Sequence, residues 1–314
     1  MSVVTPSYNQ GRFLEETIRS VLLQGYPDFE YFIIDGGSAD ESLEIIRRYE
    51  PWLTYWTSEP DRGQSDAINK GWARATGDVV AYLNSDDCYL TGAVAKVAQR
   101  FFEDPNLGMV YGTALIVDEF GELLREWQAQ PFDLKAMLAI GNMVPQPAAF
   151  FSKSVLHTLG YLNENWHLIM DYEFCTRVGT RFPAACIPDA LARFRDHAAS
   201  KSRSRFQQMA EELIEFFKSY STDQIAQRDL QVIKQTAMSR VHYELAFAYL
   251  AQEHKDGAKV IAHLLKSIAL QPGFALGRSR LTAHVAKELL SGPFRAAAGQ
   301  VIDIAKKRGS WEAR

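Results

Sequence analysis

Over its first 110 residues the chain alternates short β-branched runs with longer stretches of helical period, which confines it to βαβ units built around a parallel sheet. The runs are Val3-Val4, Tyr31 to Asp35, Leu53 to Ser58 and Val79 to Leu83. Between them lie Arg12 to Leu23, with Phe13, Ile18, Val21 and Leu22 on one stripe, then Asp40 to Tyr49 and Ser65 to Ala75. Asp40 and Ser65 are the expected N-caps, and Gly77 the expected helix stop. From Met109 to Phe151 the pattern shortens. Glu119-Phe120-Gly121-Glu122 separates Ala114–Val117 from Leu123–Trp127 and predicts a hairpin, so the sheet becomes mixed. Helical patterns return at Lys153 to Leu159 and Asp171 to Arg181. Two apolar runs follow, Ala184 to Ile187 and Ala190 to Phe194, divided by Pro188-Asp189.

Beyond the polar stretch Ser200 to Arg205, apolar residues recur at helical spacing (Leu213, Ile214, Phe217; Ile261, Leu264, Leu265, Ile268) and strand signals are few. The expected organisation is an α/β domain over 1–205 and an all-α domain over 206–314. The latter reads as a bundle; Tyr243 to Pro272 faintly matches one tetratricopeptide unit, and such arrays need about three. Charge divides at the same place, with 19 basic and 27 acidic residues before the boundary and 15 and 11 after it. The overall charge of −4 is too balanced for a chain whose main partner is a nucleic-acid backbone. Cys88, Cys175 and Cys186 lie far apart with no zinc spacing, and read as buried thiols of a reducing compartment. Met1 to Pro6 has the character of no secretory leader, and no run reaches the roughly 20 apolar residues of a bilayer crossing, so a cytoplasmic protein is expected. Lys306-Lys307-Arg308 and the apolar faces of the helical tail leave open a peripheral contact with a protein or with the anionic inner face of a membrane.

Open α/β sheets bind ligands beyond the carboxyl ends of their strands. Polar clusters stand at three such ends: Thr5-Pro6-Ser7-Tyr8-Asn9, Asp35-Gly36-Gly37-Ser38-Ala39-Asp40 and Asn84-Ser85-Asp86-Asp87. No G-x-G-x-x-G follows the first strand and no G-x-x-x-x-G-K-[ST] occurs, which argues against a Rossmann redox enzyme and a P-loop NTPase. Adjacent Asp86 and Asp87 would repel an anionic ligand unless a hard cation such as Mg2+ or Mn2+ intervened, and a metal-bridged diphosphate is then the natural guest. The plainer alternative is an Asx-turn that helps to cap a helix starting near Thr91.

Taken together, these segments closely resemble the inverting family-2 glycosyltransferases of the GT-A fold. Glu59-Pro60-Asp61-Arg62-Gly63-Gln64-Ser65-Asp66-Ala67-Ile68-Asn69-Lys70-Gly71 is similar to a subgroup signature. Gln146 to Phe151, Gly160 to Glu164, Met170 to Phe174 and Arg195-Asp196-His197 match later motifs in order, so the resemblance spans roughly 1–202. It implies a nucleotide diphosphate-sugar donor, often a UDP-sugar, and a saccharide or lipid-linked glycan acceptor in surface polysaccharide or glycoconjugate synthesis. Thr5, Pro6 and Tyr8 would line the nucleobase pocket, Asp35 would accept from the base, and Asp61 would lie near the nucleoside or diphosphate. Asp86 would contact ribose or metal, Asp87 would ligate Mn2+ or Mg2+ directly, and His197 would be a metal ligand or a diphosphate donor. The aspartate usual two positions before Asp86 is Asn84 here. Asp171 would be the base that deprotonates the acceptor, with Glu173 as its rival. Gln146, Glu164, Trp166 and His167 are weaker candidates around the sugars. A nucleotidyltransferase or nucleotide-sugar hydrolase, and a non-catalytic interaction protein acting through its helices, are the alternatives.

Overall fold

A computed structural model of the chain describes residues 1–201, 205–250 and 256–271. Part of the Tyr243 to Pro272 segment, part of the Ser200 to Arg205 stretch and Lys306-Lys307-Arg308 lie outside the described residues. The chain forms two compact units, one of 1–137 with 142–201, the other of 138–141 with the described residues from 205 onward.

The first unit is built on a mixed nine-stranded sheet. Strands β1 (Ser2–Ser7), β2 (Glu30–Asp35), β3 (Tyr55–Ser58) and β4 (Val79–Tyr82) run parallel in the order β3-β2-β1-β4, with Val4 opposite Phe32 and Ser7 opposite Asp35. Helix α1 (Gly11–Leu22) buries Phe13, Leu14, Ile18 and Val21, and α2 (Ser42–Tyr49) buries Ile45 and Ile46. From these helices Leu14, Ile18, Val21, Ile45 and Ile46 join Val3, Tyr31, Ile33 and Ala81 of the sheet in one core. Helix α3 (Gln64–Trp72) comes so close to β1 that a Cβ on Gly71 would stand 2.6 Å from both methyls of Val4. The capping expectations are corrected: α2 starts at Ser42 and α3 at Gln64, after Gly63 at φ +120°. Asp40 still satisfies a helix start, accepting from Ser42 N at 3.0 Å, and it reaches across to the N–H of Gly11 at 2.9 Å. Gly77 stops no helix; α3 ends at Trp72.

After β5 (Cys88–Tyr89) and α4 (Ala93–Glu103), the long strand β6 (Met109–Val117) and its hairpin partner β7 (Leu123–Trp127) form, as the turn signals predict. Helix α5 (Leu134–Ile140) precedes β8 (Ala149–Ser152), which runs antiparallel between β4 and β6. Then come α6 (Lys153–Leu159), α7 (Met170–Gly179) and β9 (Ala184–Arg195). The two apolar runs around Pro188-Asp189 are therefore a single strand, parallel to β6, with irregular register opposite Gly112 to Ala114. Glycine is required there. A Cβ on Gly112 would sit 2.6 Å from Leu191 and 2.8 Å from the carbonyl of Asp189, both part of the bulge.

The second unit contains α8 (Phe206–Ser219), α9 (Gln227–Leu250) and α10 (Gly257–Leu270). Helices α9 and α10 lie against each other, with Ser239 Oγ donating to Ser267 O at 2.8 Å and the Nδ1 atoms of His242 and His263 3.0 Å apart. Val241, Leu245, Ala246, Val260 and Leu264 close the core between them. No helix among the described residues is long and apolar enough to cross a membrane. Cys88 and Cys175 are buried free thiols, and Cys186 is half-buried.

Candidate active site

The loops after β1, β2, β3 and β4 meet in turn, each touching the next. β1 is longer than the Val3-Val4 run, so Thr5 and Pro6 lie inside the sheet, and Thr5 Oγ1 bonds the hydroxyl of Tyr31 at 3.0 Å. Tyr8 is the first exposed residue, at 63%. Asn9 then adopts φ +52°, a conformation asparagine tolerates, and laces this loop to the next one. Its N–H donates to Ser38 Oγ and its Oδ1 accepts from Ala39 N, both at 2.8 Å.

Asp35 is fully buried and closes that second loop. Its Oδ2 accepts from Gly37 N (3.1 Å), Ser38 N (2.8 Å) and Ser58 Oγ (2.7 Å), and its Oδ1 from Ser38 Oγ (2.5 Å). A base that bonded Asp35 would have to share Oδ1 with the Ser38 hydroxyl or take its place. Gly36 stands between two further candidates: a Cβ there would lie 2.7 Å from Asp61 Oδ2 and 3.3 Å from the Tyr8 ring. Tyr8, Asp35 and Asp61 are thus brought together. Asp61 is held by the N–H of Gly63 at 2.8 Å, and the space over Gly63 is edged by His167.

Asp86 and Asp87 are neighbours that face different ways. Asp86 is half-buried, and its Oδ2 lies 3.1 Å from Nε2 of His197. Asp87 is 1% exposed; its Oδ1 accepts from the N–H of Arg195 at 2.9 Å and its Oδ2 faces Asn84 Nδ2 at 3.4 Å. Burial, and then the charge of Asp86, push the Asp87 carboxyl well above its ordinary range. To ligate a cation directly, as the resemblance implies, Asp87 would have to leave these partners. Neither aspartate caps α4, whose N-cap is Gly92. Arg195 fastens the whole corner: its guanidinium donates to Asp86 O and Glu119 O, pairs with Glu16 at 2.6 Å and lies over the Phe13 ring, which also touches His197.

Asn84 anchors a directed chain of amides. Its Nδ2 donates to Gln146 Oε1 at 3.0 Å, its Oδ1 accepts from Gln64 Nε2 at 2.6 Å, Gln64 Oε1 accepts from Lys201 Nζ at 2.7 Å, and Gln146 Nε2 donates to Tyr82 O at 3.1 Å. Every donor meets an acceptor, so the orientation of each amide is fixed.

Asp171 is the second residue of α7, whose N-cap is Ile169, so it stands inside the first turn rather than at the cap. Its Oδ2 accepts from Asn142 Nδ2 at 3.0 Å. Burial raises its carboxyl above the usual carboxylate range, against the opposing pull of the first helical N–H groups and of Asn142. Glu173 is differently placed, engaged twice by Arg177 at 2.9 and 3.0 Å. Glu164 is likewise committed, to Arg62 at 2.8 Å.

Nothing in the sequence pattern marks Ser38 and Ser58 as the clamps of Asp35, the amide chain, or Asn142. Asn142 follows a glycine and reads only as a turn. Arg195 is visible in the Arg-x-His motif, although its fastening role is not. For a cation, Asp86 and His197 offer an oxygen and a nitrogen ligand side by side; among the described residues no cluster of three His, Cys, Asp or Glu could hold a metal by itself.

The family described as "Glycosyl transferase family 2" matches residues 2–170. An uncharacterized glycosyltransferase of Mycobacterium tuberculosis (strain ATCC 25618 / H37Rv) is 34% identical over 179 residues, 56% of this chain and 68% of that protein. A PGL/p-HBAD biosynthesis glycosyltransferase of Mycobacterium bovis (strain BCG / Pasteur 1173P2) is 30% identical over 180 residues, with the same coverage. Among solved structures, S. aureus TarS 1-349 in complex with UDP-GlcNAc superposes with a TM-score of 0.65 at 17% identity, covering 97% of this chain and 88% of that one. The mannosyltransferase PcManGT from Pyrobaculum calidifontis, in complex with GDP-Man and Mn2+, superposes with a TM-score of 0.60 at 20% identity, covering 100% and 87%. These two share the fold of this chain, which is GT-A. With more than half of its length matched by the family, the chain belongs to glycosyl transferase family 2, and it is a glycosyltransferase.

Proposed function

We propose that the protein transfers a sugar, with inversion, from a nucleotide diphosphate-sugar to a hydroxyl of a saccharide or lipid-linked glycan. UDP-sugars are the first class to test. The observation that carries this reading is the pair Asp86 and His197 at the carboxyl end of β4, beside loops that gather Tyr8, Asp35 and Asp61. The nucleoside would lie against Tyr8, over the buried Thr5 and Pro6 at the end of β1, with Asp61 at its edge and Asp35 beneath the loop. Asp86 and His197 would hold Mn2+ or Mg2+, with Asp87 supporting them from within through Arg195 N. Bound there, the ion would neutralise charge on the departing diphosphate.

Asp171 is the proposed base. The acceptor oxygen bonds to C1 on the side opposite the diphosphate while the C1–O bond to the phosphate breaks; the proton passes to Asp171 and the electron pair leaves with the diphosphate. The engagement of Glu173 with Arg177 favours Asp171 over its rival. UDP-GlcNAc and GDP-Man in the structural neighbours support a nucleotide-sugar donor, and the role of the mycobacterial relative in PGL/p-HBAD biosynthesis supports a glycoconjugate acceptor. The test is calorimetry with UDP, GDP and dTDP, with and without Mn2+. At least one should bind more tightly with the ion, and Asp86→Ala should remove that increment. Failure of all three to bind overturns the reading. Asp171→Asn should abolish transfer and leave nucleotide binding nearly intact; loss of binding with unchanged residual turnover would sink the base assignment.

A further inference from the structure

Among the described residues the Asp171 carboxylate meets one side-chain donor, Asn142 Nδ2, at 3.0 Å. The amide of Asn142 can point only one way. Its Oδ1 accepts from the N–H of Val144 at 3.1 Å, so a flip would set donor against donor there and oxygen against oxygen at Asp171. The segment carrying Asn142 is tied to the same helix a second time, since the Tyr172 hydroxyl donates to Met137 O at 3.2 Å. Two links thus join the segment before Val144 to the first turn of α7.

We infer that Asn142 is a positioning residue for the transfer reaction: it holds one oxygen of Asp171 and sets the ease with which that carboxyl ionises to receive the acceptor's proton. The inference rests on the reading of Asp171 as the base. A hydrogen bond to the ionised form favours ionisation, and burial opposes it. The other groups facing Asp171 are Tyr82 from β4, and Cys175 and the N–H groups of residues 171 and 172 from its own helix; Glu173 lies near Cys175. Burial pushes Tyr82 and Cys175 well up, so both stay neutral where a carboxylate titrates. The Tyr82 hydroxyl makes no hydrogen bond among the described residues. Glu173 is paired with Arg177. Removing Asn142 leaves burial opposed by the backbone alone, and the carboxyl must then titrate at higher pH.

The experiment is carboxyl NMR of the full chain labelled with 13C-aspartate, in which the Asp171 signal is identified by its loss in Asp171→Asn. Asn142→Ala should raise the Asp171 midpoint by about one pH unit, a tenfold change in ionisation. Asn142→Ser, which keeps a short donor, should fall between Asn142→Ala and the parent, and Asn142→Asp should raise the midpoint furthest because two carboxyls then compete for charge. A midpoint unchanged within about 0.3 unit in a folded Asn142→Ala protein or, where that variant does not fold, in Asn142→Asp overturns the inference, because a purely structural role would lower stability without moving it. UDP release from UDP-glucose, UDP-galactose and UDP-GlcNAc separates the two readings. If Asp171→Asn releases UDP like the parent, the base assignment fails and the inference goes with it; if Asp171→Asn is inactive and the midpoint stays put in Asn142→Ala, only the inference fails.

Discussion

Restoring the usual aspartate at position 84 should damage this protein, and the amide chain says by how much. In Asn84→Asp the acceptor toward Gln64 survives, but Nδ2 becomes an oxygen facing Gln146 Oε1 at 3.0 Å and Asp87 Oδ2 at 3.4 Å. Gln146 cannot turn over to help without giving up its bond to Tyr82 O. Two hydrogen bonds become two oxygen–oxygen contacts, one of them with a buried carboxyl. A partly buried group left without its partner costs about 1–3 kcal/mol, so the two together cost roughly 2–6 kcal/mol. For a unit of some 200 residues that is a fall in Tm of roughly 4–24 °C. The assay is thermal unfolding by circular dichroism at neutral pH with a chelator present, which keeps cations out of the comparison. Adding Asp87→Asn to Asn84→Asp exchanges amide and carboxylate between the two positions. The new amide at position 87 can still accept from the N–H of Arg195, and it can donate to the new carboxylate at position 84. The double variant should recover more than half of the loss, because it removes the contact between two carboxyls, the costlier of the pair. A single variant within about 2 °C of the parent, or a double variant no better than the single, would refute the reasoning.

Asp86→Ala and Asp87→Ala should separate cleanly. The first should lose metal-dependent UDP affinity by calorimetry and melt within a few degrees of the parent, and the second should lose roughly 2–4 kcal/mol of stability because Arg195 N and Asn84 are left facing a cavity. Gly71→Ala should cost roughly 1–3 kcal/mol in denaturant unfolding, since its Cβ would meet both methyls of Val4 on a central strand. Burial, then His263, Lys266 and Lys218, lower His242 to about 4. Because the folded state resists its protonation, the helical unit should be fully supported above about pH 6.5 and, after allowance for solvent screening, lose roughly 1–3 kcal/mol as pH falls toward about 4. Hydrogen exchange of α9 and α10 across that range checks the sign, and protection that rises on acidification would contradict it.

How far the sequence could be read depended on whether the deciding contact was local. Strand β7 covers the Leu123–Trp127 segment read beside the turn, because a hairpin is fixed by neighbours along the chain. The cap of α3 was misplaced by two residues because Gly63, at φ +120°, starts the helix without a side-chain oxygen. Pro188-Asp189 looked like a break between two strands, and only Gly112, on another strand, makes room for it as a bulge. The same division holds in the site. Asp86 and Asp171 stand in motifs, so their importance was legible. That Asp86 turns to His197 while Asp87 turns inward depends on Arg195, more than a hundred positions away, and Asn142 became visible only once α7 was set beside its loop.

The bulge in β9 also does arithmetic. Between Gly112 and Ala114 the partner strand gains three residues, an odd number. Side chains on a strand alternate in direction, so an odd insertion reverses the parity of everything downstream relative to β6. Arg195 points into the corner of Asp86 and Glu16 only because of that reversal. Deleting one residue from 188–191 would leave Arg195-Asp196-His197 intact as letters and turn the arginine to the wrong face, whereas deleting two would preserve its direction. The tripeptide carries meaning only together with the length of a bulge that contains none of its residues.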